Sequence, residues 1–261
     1  MALTGGPLLL DGNDIVLETR SLSKRFGGFY AVKEVDLKIK RSSVHAIIGP
    51  NGAGKTTFFN LLTKFHTPSS GQILFNGSDI TRLGPTAISR RGLVRSFQIS
   101  SVFGQLSVMD NVRLALQRRS NVALKFWMSN RRLDHLNPEA ESLVEQVGLK
   151  DFLNVRAGEL SYGRKRALEI ATTVALDPEV MLLDEPTSGL GAEDIDRAVK
   201  VIAAAAKNRT VVMVEHNLGV VEGICDEVTV LQRGEILSQG TYQDVSSDPS
   251  VIEAYVGAED D

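Results

Sequence analysis

The chain has a single cysteine, Cys225, among its 261 residues. One cysteine excludes internal disulfides and a cysteine-based metal cluster, and it reads more readily as a small buried hydrophobe than as a reactive thiol. Long apolar runs are also missing. None approaches the roughly 18 residues of a membrane-spanning helix, and residues 1–12 lack the charged start and long apolar centre of a signal peptide, so the chain is expected to stay in the cytosol. Charge of one sign does not accumulate: a net charge of −3 gives no reason to expect nucleic acid as a partner. There is no internal repeat, so whatever chemistry the chain carries is present once. With 43% hydrophobic and 23% charged residues, the composition is that of an ordinary soluble globular protein, long enough for one large α/β domain or a domain with a subdomain.

Against this plain background, one stretch is specific. Gly49 to Thr56 reads GPNGAGKT and fits the phosphate-cradling pattern G-x-x-x-x-G-K-[ST] at every fixed position. Val44 to Ile48 (VHAII) precedes it as a short run of buried-strand type, and Lys55 to Phe65 follows as a predicted helix. That order suits phosphate: glycines let backbone N–H groups come close, and a helix N-terminus adds positive potential. Gly49, Pro50, Asn51, Gly52, Ala53, Gly54, Lys55, Thr56 and Thr57 are therefore the candidate nucleotide-binding stretch. Within it, Lys55 is expected to reach the β- and γ-phosphates of a nucleotide and Thr56 to place its hydroxyl on Mg²⁺.

Upstream, Ile15 to Leu17 and Val35 to Ile39 alternate apolar with polar residues around Gly27-Gly28, which predicts antiparallel strands. Phe26 lies between them; its ring could stack on a purine base or be an ordinary core phenylalanine. Gly71 to Phe75, turned by Asn76-Gly77, is a further strand and hairpin signal. From about Pro85 to Ala157 helical periods dominate, notably Val108 to Leu116 and Pro138 to Val147. In the same stretch Arg118, Arg119, Lys125, Arg131 and Arg132 surround Phe126 and Trp127. This mixture suits lipid headgroups or a partner, but a solvated loop is the more ordinary reading.

A second chemical centre is Val180 to Glu185 (VMLLDE), a buried-strand pattern whose end presents two adjacent carboxylates. Alone, such a pair also serves as a helix cap or a solubilising end. Beside a phosphate loop it divides into roles: Asp184 to hold Mg²⁺, directly or through water, and Glu185 to accept a proton from, or orient, the attacking water. Thr210 to Glu215 is another buried-strand pattern and delivers His216, whose imidazole could donate to a γ-phosphate. Leu160 to Ala171 (LSYGRKRALEIA) places Ser161 and Gly163 before an amphipathic helix. Ser161 could be only an N-cap, but a glycine there implies close backbone approach, and a second anion site is the sharper reading.

Taken in order, these motifs resemble the nucleotide-binding subunit of ATP-binding-cassette transporters from about Val16 to Val256. The resemblance implies that Phe26 stacks on adenine, that Gln98 links metal and attacking water to the membrane subunits, and that Glu185, His216 and Gln98 form the catalytic set. It further implies that Thr56, Gln98 and Asp184 hold the metal, and that Ser161 and Gly163 bind the γ-phosphate of ATP held by the opposite subunit. Ser188 to Gly191 (SGLG) matches the loop that crosses the dimer interface. Two departures stand out: Tyr162 and Arg164 replace the commoner glycine and glutamine of the signature, and Gly191 stands where aspartate or asparagine is frequent.

The implied fold is α/β: a P-loop NTPase core with a mostly parallel sheet, an antiparallel β-subdomain and a helical subdomain. Residues 1–261 would form one domain, with the core in 1–97 and 163–261 and the helical part in 98–162. The implied cofactors are ATP and Mg²⁺. The implied partners are transmembrane permease subunits, a second cassette (a homologue or a copy of this chain, head to tail) and, indirectly, a substrate-binding protein, which would hold the chain at the cytoplasmic face of the cell membrane. LSYGRKRALEIA and the ending PSVIEAYVG are similar to the branch that powers uptake of branched-chain and other hydrophobic amino acids. Urea, amide or lipid transport and a soluble, non-transport cassette are the competing readings, and a small-molecule kinase would share the phosphate loop but not LSYG.

Overall fold

A computed structural model describes residues 14–96, 102–119 and 134–256. Two sheets organise them. The smaller is antiparallel, in the order β2-β1-β4-β5, from β1 (Ile15–Phe26), β2 (Phe29–Lys40), β4 (Ser70–Phe75) and β5 (Ser78–Asp79). The β1–β2 hairpin closes at the glycine pair, with Phe26 opposite Phe29 and Gly27 in the left-handed region. Both strands run further than the alternation predicts, because β1 is flanked on both sides and its pairing, not its own periodicity, extends it.

The larger sheet has the order β10-β9-β3-β8-β7-β6, formed by β3 (Val44–Ile48), β6 (Leu93–Ser96), β7 (Val180–Asp184), β8 (Thr210–Val214), β9 (Glu227–Gln232) and β10 (Glu235–Gly240). Neighbours from β9 to β6 pair in parallel, and only the edge strand β10 is antiparallel. Every residue of β3, β7 and β8 is buried, as expected for strands covered on both faces. In β7, Val180, Met181, Leu182 and Leu183 are all fully buried, and each such side chain contributes roughly 1.5–3 kcal/mol. These strands are therefore rigid, and their C-terminal ends are fixed platforms.

Helix α1 (Lys55–Leu62) starts inside the phosphate-loop motif and ends earlier than predicted, with Lys64 turned to φ 63°. After α2 (Pro85–Arg90), the predicted helical stretch supplies α3 (Val108–Arg119) and α4 (Asn137–Gln146), which pack with α5 (Tyr162–Ala175). The core beneath them is continuous with one face of the large sheet, through Val112, Val144, Leu168 and Leu183. The other face, with Phe58, Phe59 and Leu182, packs against the antiparallel sheet. Helices α6 (Ala192–Ala206), α7 (Leu218–Ile224), α8 (Tyr242–Ser246) and α9 (Pro249–Val256) complete the described chain. Residues Lys125 to Arg132 of the basic and aromatic segment lie outside the described residues.

One ionic cluster ties the sheets together. Glu227 of β9 receives Lys40 of β2 and stands 3.6 Å from Nδ1 of the fully buried His45 of β3, whose Nε2 is 2.8 Å from the Thr229 hydroxyl. The His45 side chain first, and Lys40 with it, hold the Glu227 carboxyl down to about 2 against the opposing effect of burial. A carboxylate held low stabilises the fold above its unfolded value and loses that contribution as pH falls through its folded value, here between about 4.5 and about 2. After discounting for solvent screening, Glu227→Gln should cost about 1–2 kcal/mol at pH 7. Denaturant titrations should show the gap to wild type closing as pH approaches 2; a gap that stays constant would contradict this assignment.

Candidate active site

The phosphate loop runs from β3 into α1, and its glycines answer to different demands. Gly54, at φ 100°, caps α1, and a Cβ there would stand 2.3 Å from the carbonyl oxygen of Ala31. Gly52 has φ 76° with open space around it. Close approach therefore selects the first, and backbone conformation alone the second. Lys55 folds back over the loop and donates from Nζ to the carbonyls of Gly49 (2.7 Å) and Pro50 (2.9 Å). Burial lowers its pKa, while the nearby Glu185 carboxylate acts in the opposite direction. Ala53 is buried, whereas Asn51, Gly52 and Thr56 are exposed at the mouth of the loop.

The end of β7 adjoins this loop. Asp184 is 2% exposed and receives Arg95 of β6 on Oδ2, while Glu185 turns out at φ 46° and meets Nε2 of His216 at 3.0 Å from its Oε1. The left-handed backbone at a non-glycine residue is strained, and it swings the Glu185 side chain away from the strand. Behind the pair, Arg166 of α5 donates to the carbonyls of Asp184 (3.3 Å) and Glu185 (3.1 Å) and to the Glu169 carboxylate (2.7 Å). Glu215 does the same service for the next strand end. Its Oε1 accepts from the backbone N–H and hydroxyl of Thr187, and its Oε2 from the N–H groups of His216 and Asn217.

Lys55, Asp184, Glu185 and His216 are thus brought to one place. Ser161 stands at the N-cap position of α5 without a side-chain capping bond, so capping does not explain it. A Cβ at Gly163 would stand 2.3 Å from Asp194 Oδ2 of α6, so the backbone there lies close against that helix. Tyr162 is 54% exposed and lies against Gly189 of the 188–191 loop. Phe26 is not a core residue; it is 46% exposed, edge-on to His66 and under the Lys24 ammonium. Gln98 lies outside the described residues. Val102 packs against the core, whereas Phe103 is 57% exposed. It lines a groove of about 560 Å³ with Phe65, Ile88, Arg95 and Leu114. Arg95, Arg166 and Glu215 escaped the sequence reading. Arg166 had a signal, since it shares the buried face of α5 with Ile170 and Thr173.

A family profile described as "ABC transporter" matches residues 32–188. The chain belongs to the ABC transporter family. A second profile, "Branched-chain amino acid ATP-binding cassette transporter", matches residues 235–261 of this cassette. Among similar proteins, the high-affinity branched-chain amino acid transport ATP-binding protein BraF of Pseudomonas aeruginosa is 38% identical over 93% of the chain and 98% of its own length. The corresponding LivG of Escherichia coli K12 is 35% identical with the same coverage. Among solved structures, a nucleotide-free ATP-binding cassette from an ABC transporter has a TM-score of 0.79 at 27% identity, covering 92% of this chain and 98% of its own. The ADP conformation of MJ1267, an ATP-binding cassette of an ABC transporter, reaches 0.80 at 28%, covering 93% and 99%.

The loop geometry yields a stability order. Gly52→Ala should cost about 1–2 kcal/mol through its left-handed backbone alone. Gly54→Ala adds a backbone clash and should cost more, read as a lower denaturant midpoint. Equal midpoints for the two variants would contradict the close approach of Ala31 to Gly54.

Proposed function

We propose that this ATP-binding cassette hydrolyses ATP to power the uptake of branched-chain or other hydrophobic amino acids. The observation that carries the chemistry is the Glu185–His216 contact of 3.0 Å beside Lys55 at the end of a fully buried strand. The branched-chain names of the relatives, at 38% and 35% identity over nearly full length, support that cargo over urea, amides or lipids.

In this reading Phe26 stacks on adenine, and the loop amides from Gly49 to Thr57 and Lys55 hold the phosphates. Lys55 exchanges its bonds to the Gly49 and Pro50 carbonyls for phosphate oxygens, and its compact charge suits that exchange. Glu185 accepts the proton of the attacking water as the oxygen–phosphorus bond forms and the bond to the bridging oxygen breaks. His216 fixes the Glu185 carboxylate and faces the γ-phosphate. Asp184, Thr56 and Gln98 would hold Mg²⁺. One carboxylate and one hydroxyl suit an ion that keeps waters and phosphate ligands, and among the described residues no cluster of three or more acidic, histidine or cysteine side chains offers a protein cage. When bound, the ion supplies neutralisation of charge on the phosphates.

Ser161 and Gly163 complete the site of a second cassette, head to tail, with the exposed 188–191 loop at the joint. Helices α3 and α4, within the stretch 98–162, would belong to the arm that moves on closure. The groove beside Phe103 receives a segment of the membrane subunit, which places the chain at the cytoplasmic face of the membrane, upstream of a substrate-binding protein on the other side. Among the described residues no helix is long and apolar enough to cross a membrane.

Glu185→Gln should leave ATP binding intact and slow hydrolysis by at least 10²-fold, whereas Lys55→Ala should weaken ATP binding itself. Binding is read with a fluorescent ATP analogue and hydrolysis by phosphate release; equal hydrolysis by Glu185→Gln and wild type would sink the assignment. Phe103→Asp should uncouple transport by the assembled complex while sparing basal hydrolysis by the free subunit. Transport unaffected by Phe103→Asp would remove the groove from the account.

A further inference from the structure

Arg95 has no part in the reading above, yet it touches both of its halves. The side chain is 9% exposed. Nη2 donates to Asp184 Oδ2, Nη1 donates to Asn60 Oδ1 at 2.7 Å and to the Thr63 hydroxyl at 3.4 Å, and the guanidinium lies 5.6 Å from the ring centroid of Phe65. Phe65 is 52% exposed and lines the groove together with Arg95 itself and Phe103. One end of the guanidinium therefore rests on the buried carboxylate assigned to Mg²⁺, and its flank forms part of the wall assigned to the membrane subunit. Its Nε is buried and finds no acceptor among the described residues. A buried guanidinium N–H left unpaired marks a side chain whose hydrogen bonds are incomplete in this conformation.

We propose that Arg95 is a positioning residue that competes with Mg²⁺ for Asp184 and so links the groove to the phosphate site; this rests on the cassette reading. The argument is one of charge. The Asp184 side chain is 1% exposed, and a carboxylate buried to that degree needs a counter-charge, which Arg95 supplies. A divalent cation arriving with nucleotide brings further positive charge to the same group and repels the guanidinium, so each weakens the other's hold. Arg95 yields along the Asn60, Thr63 and Phe65 side, where a groove occupant bears on Phe65 and can offer Nε an acceptor. An occupant that draws Arg95 away tightens Mg²⁺–nucleotide binding, and Mg²⁺–nucleotide tightens docking by the same factor.

The test is a Mg²⁺ titration of fluorescent ATP analogue binding to the purified full chain, with thermal melts as a folding check. Arg95→Gln should lower the half-saturating Mg²⁺ about five- to tenfold, with binding in EDTA changed less than about twofold. Arg95→Lys keeps a charge without the fork and should move it less, in the same direction. Phe65→Ala, on the groove side, should also shift it. Half-saturating Mg²⁺ that is unchanged or raised in a folded Arg95→Gln overturns the proposal. Should Arg95→Gln fail to fold, no shift in both Arg95→Lys and Phe65→Ala does the same. Failure of the wild type to bind the analogue would defeat the cassette reading itself, whereas intact binding with an unmoved Mg²⁺ dependence defeats only the link.

Discussion

The burial of Asp184 at the end of β7 sets the terms for everything around it. Four fully buried apolar residues hold the strand in place, so the carboxylate cannot retreat to water and its charge must be met by protein groups. Arg95 meets it from β6, and Arg166 satisfies the backbone carbonyls on the helical side. The strand then turns sharply at Glu185, whose left-handed backbone puts its side chain within reach of His216. That geometry is held from behind, because Glu215 binds both the Thr187 segment and the main chain of His216 and Asn217. The Glu185–His216 pair is thus supported from behind by groups of the neighbouring strand ends.

The same arrangement leaves several side chains with partners they could exchange. Ligand-driven closure requires contacts that differ between open and closed states. Here Lys55 is bonded to its own loop, Ser161 leaves its hydroxyl uncommitted to capping, and Arg95 has an N–H without an acceptor among the described residues. In the proposed reading each would gain or exchange a partner once nucleotide, a second cassette or a groove occupant is present. The rigid sheet supplies fixed reference points, and these side chains supply the change.

Much of this was legible in the sequence, because the phosphate loop, the VMLLDE strand and the strand before His216 are local patterns whose chemistry follows from type and spacing. Both hairpin turns were equally plain, since Gly27-Gly28 and Asn76-Gly77 are turn dipeptides, and Gly27, Asn76 and Gly77 all adopt left-handed backbone. What was not legible depends on contacts distant in sequence. Nothing near Arg95 announces Asp184, and Glu215 reads as the polar end of a strand until Thr187 is seen to fold onto it. The Asp194 carboxylate beside Gly163 is likewise a neighbour that no periodicity could place there. Strand lengths were underestimated because β1 is paired on both sides.

The central claim, that this chain turns ATP hydrolysis at Glu185 into movement of branched-chain amino acids, is tested most directly by uptake of labelled leucine, isoleucine and valine in cells lacking the protein. The account predicts loss of high-affinity uptake, with rescue by wild type and none by Glu185→Gln. Uptake that persists unchanged without the protein, while urea uptake or lipid export fails, would contradict the cargo and leave the ATPase standing.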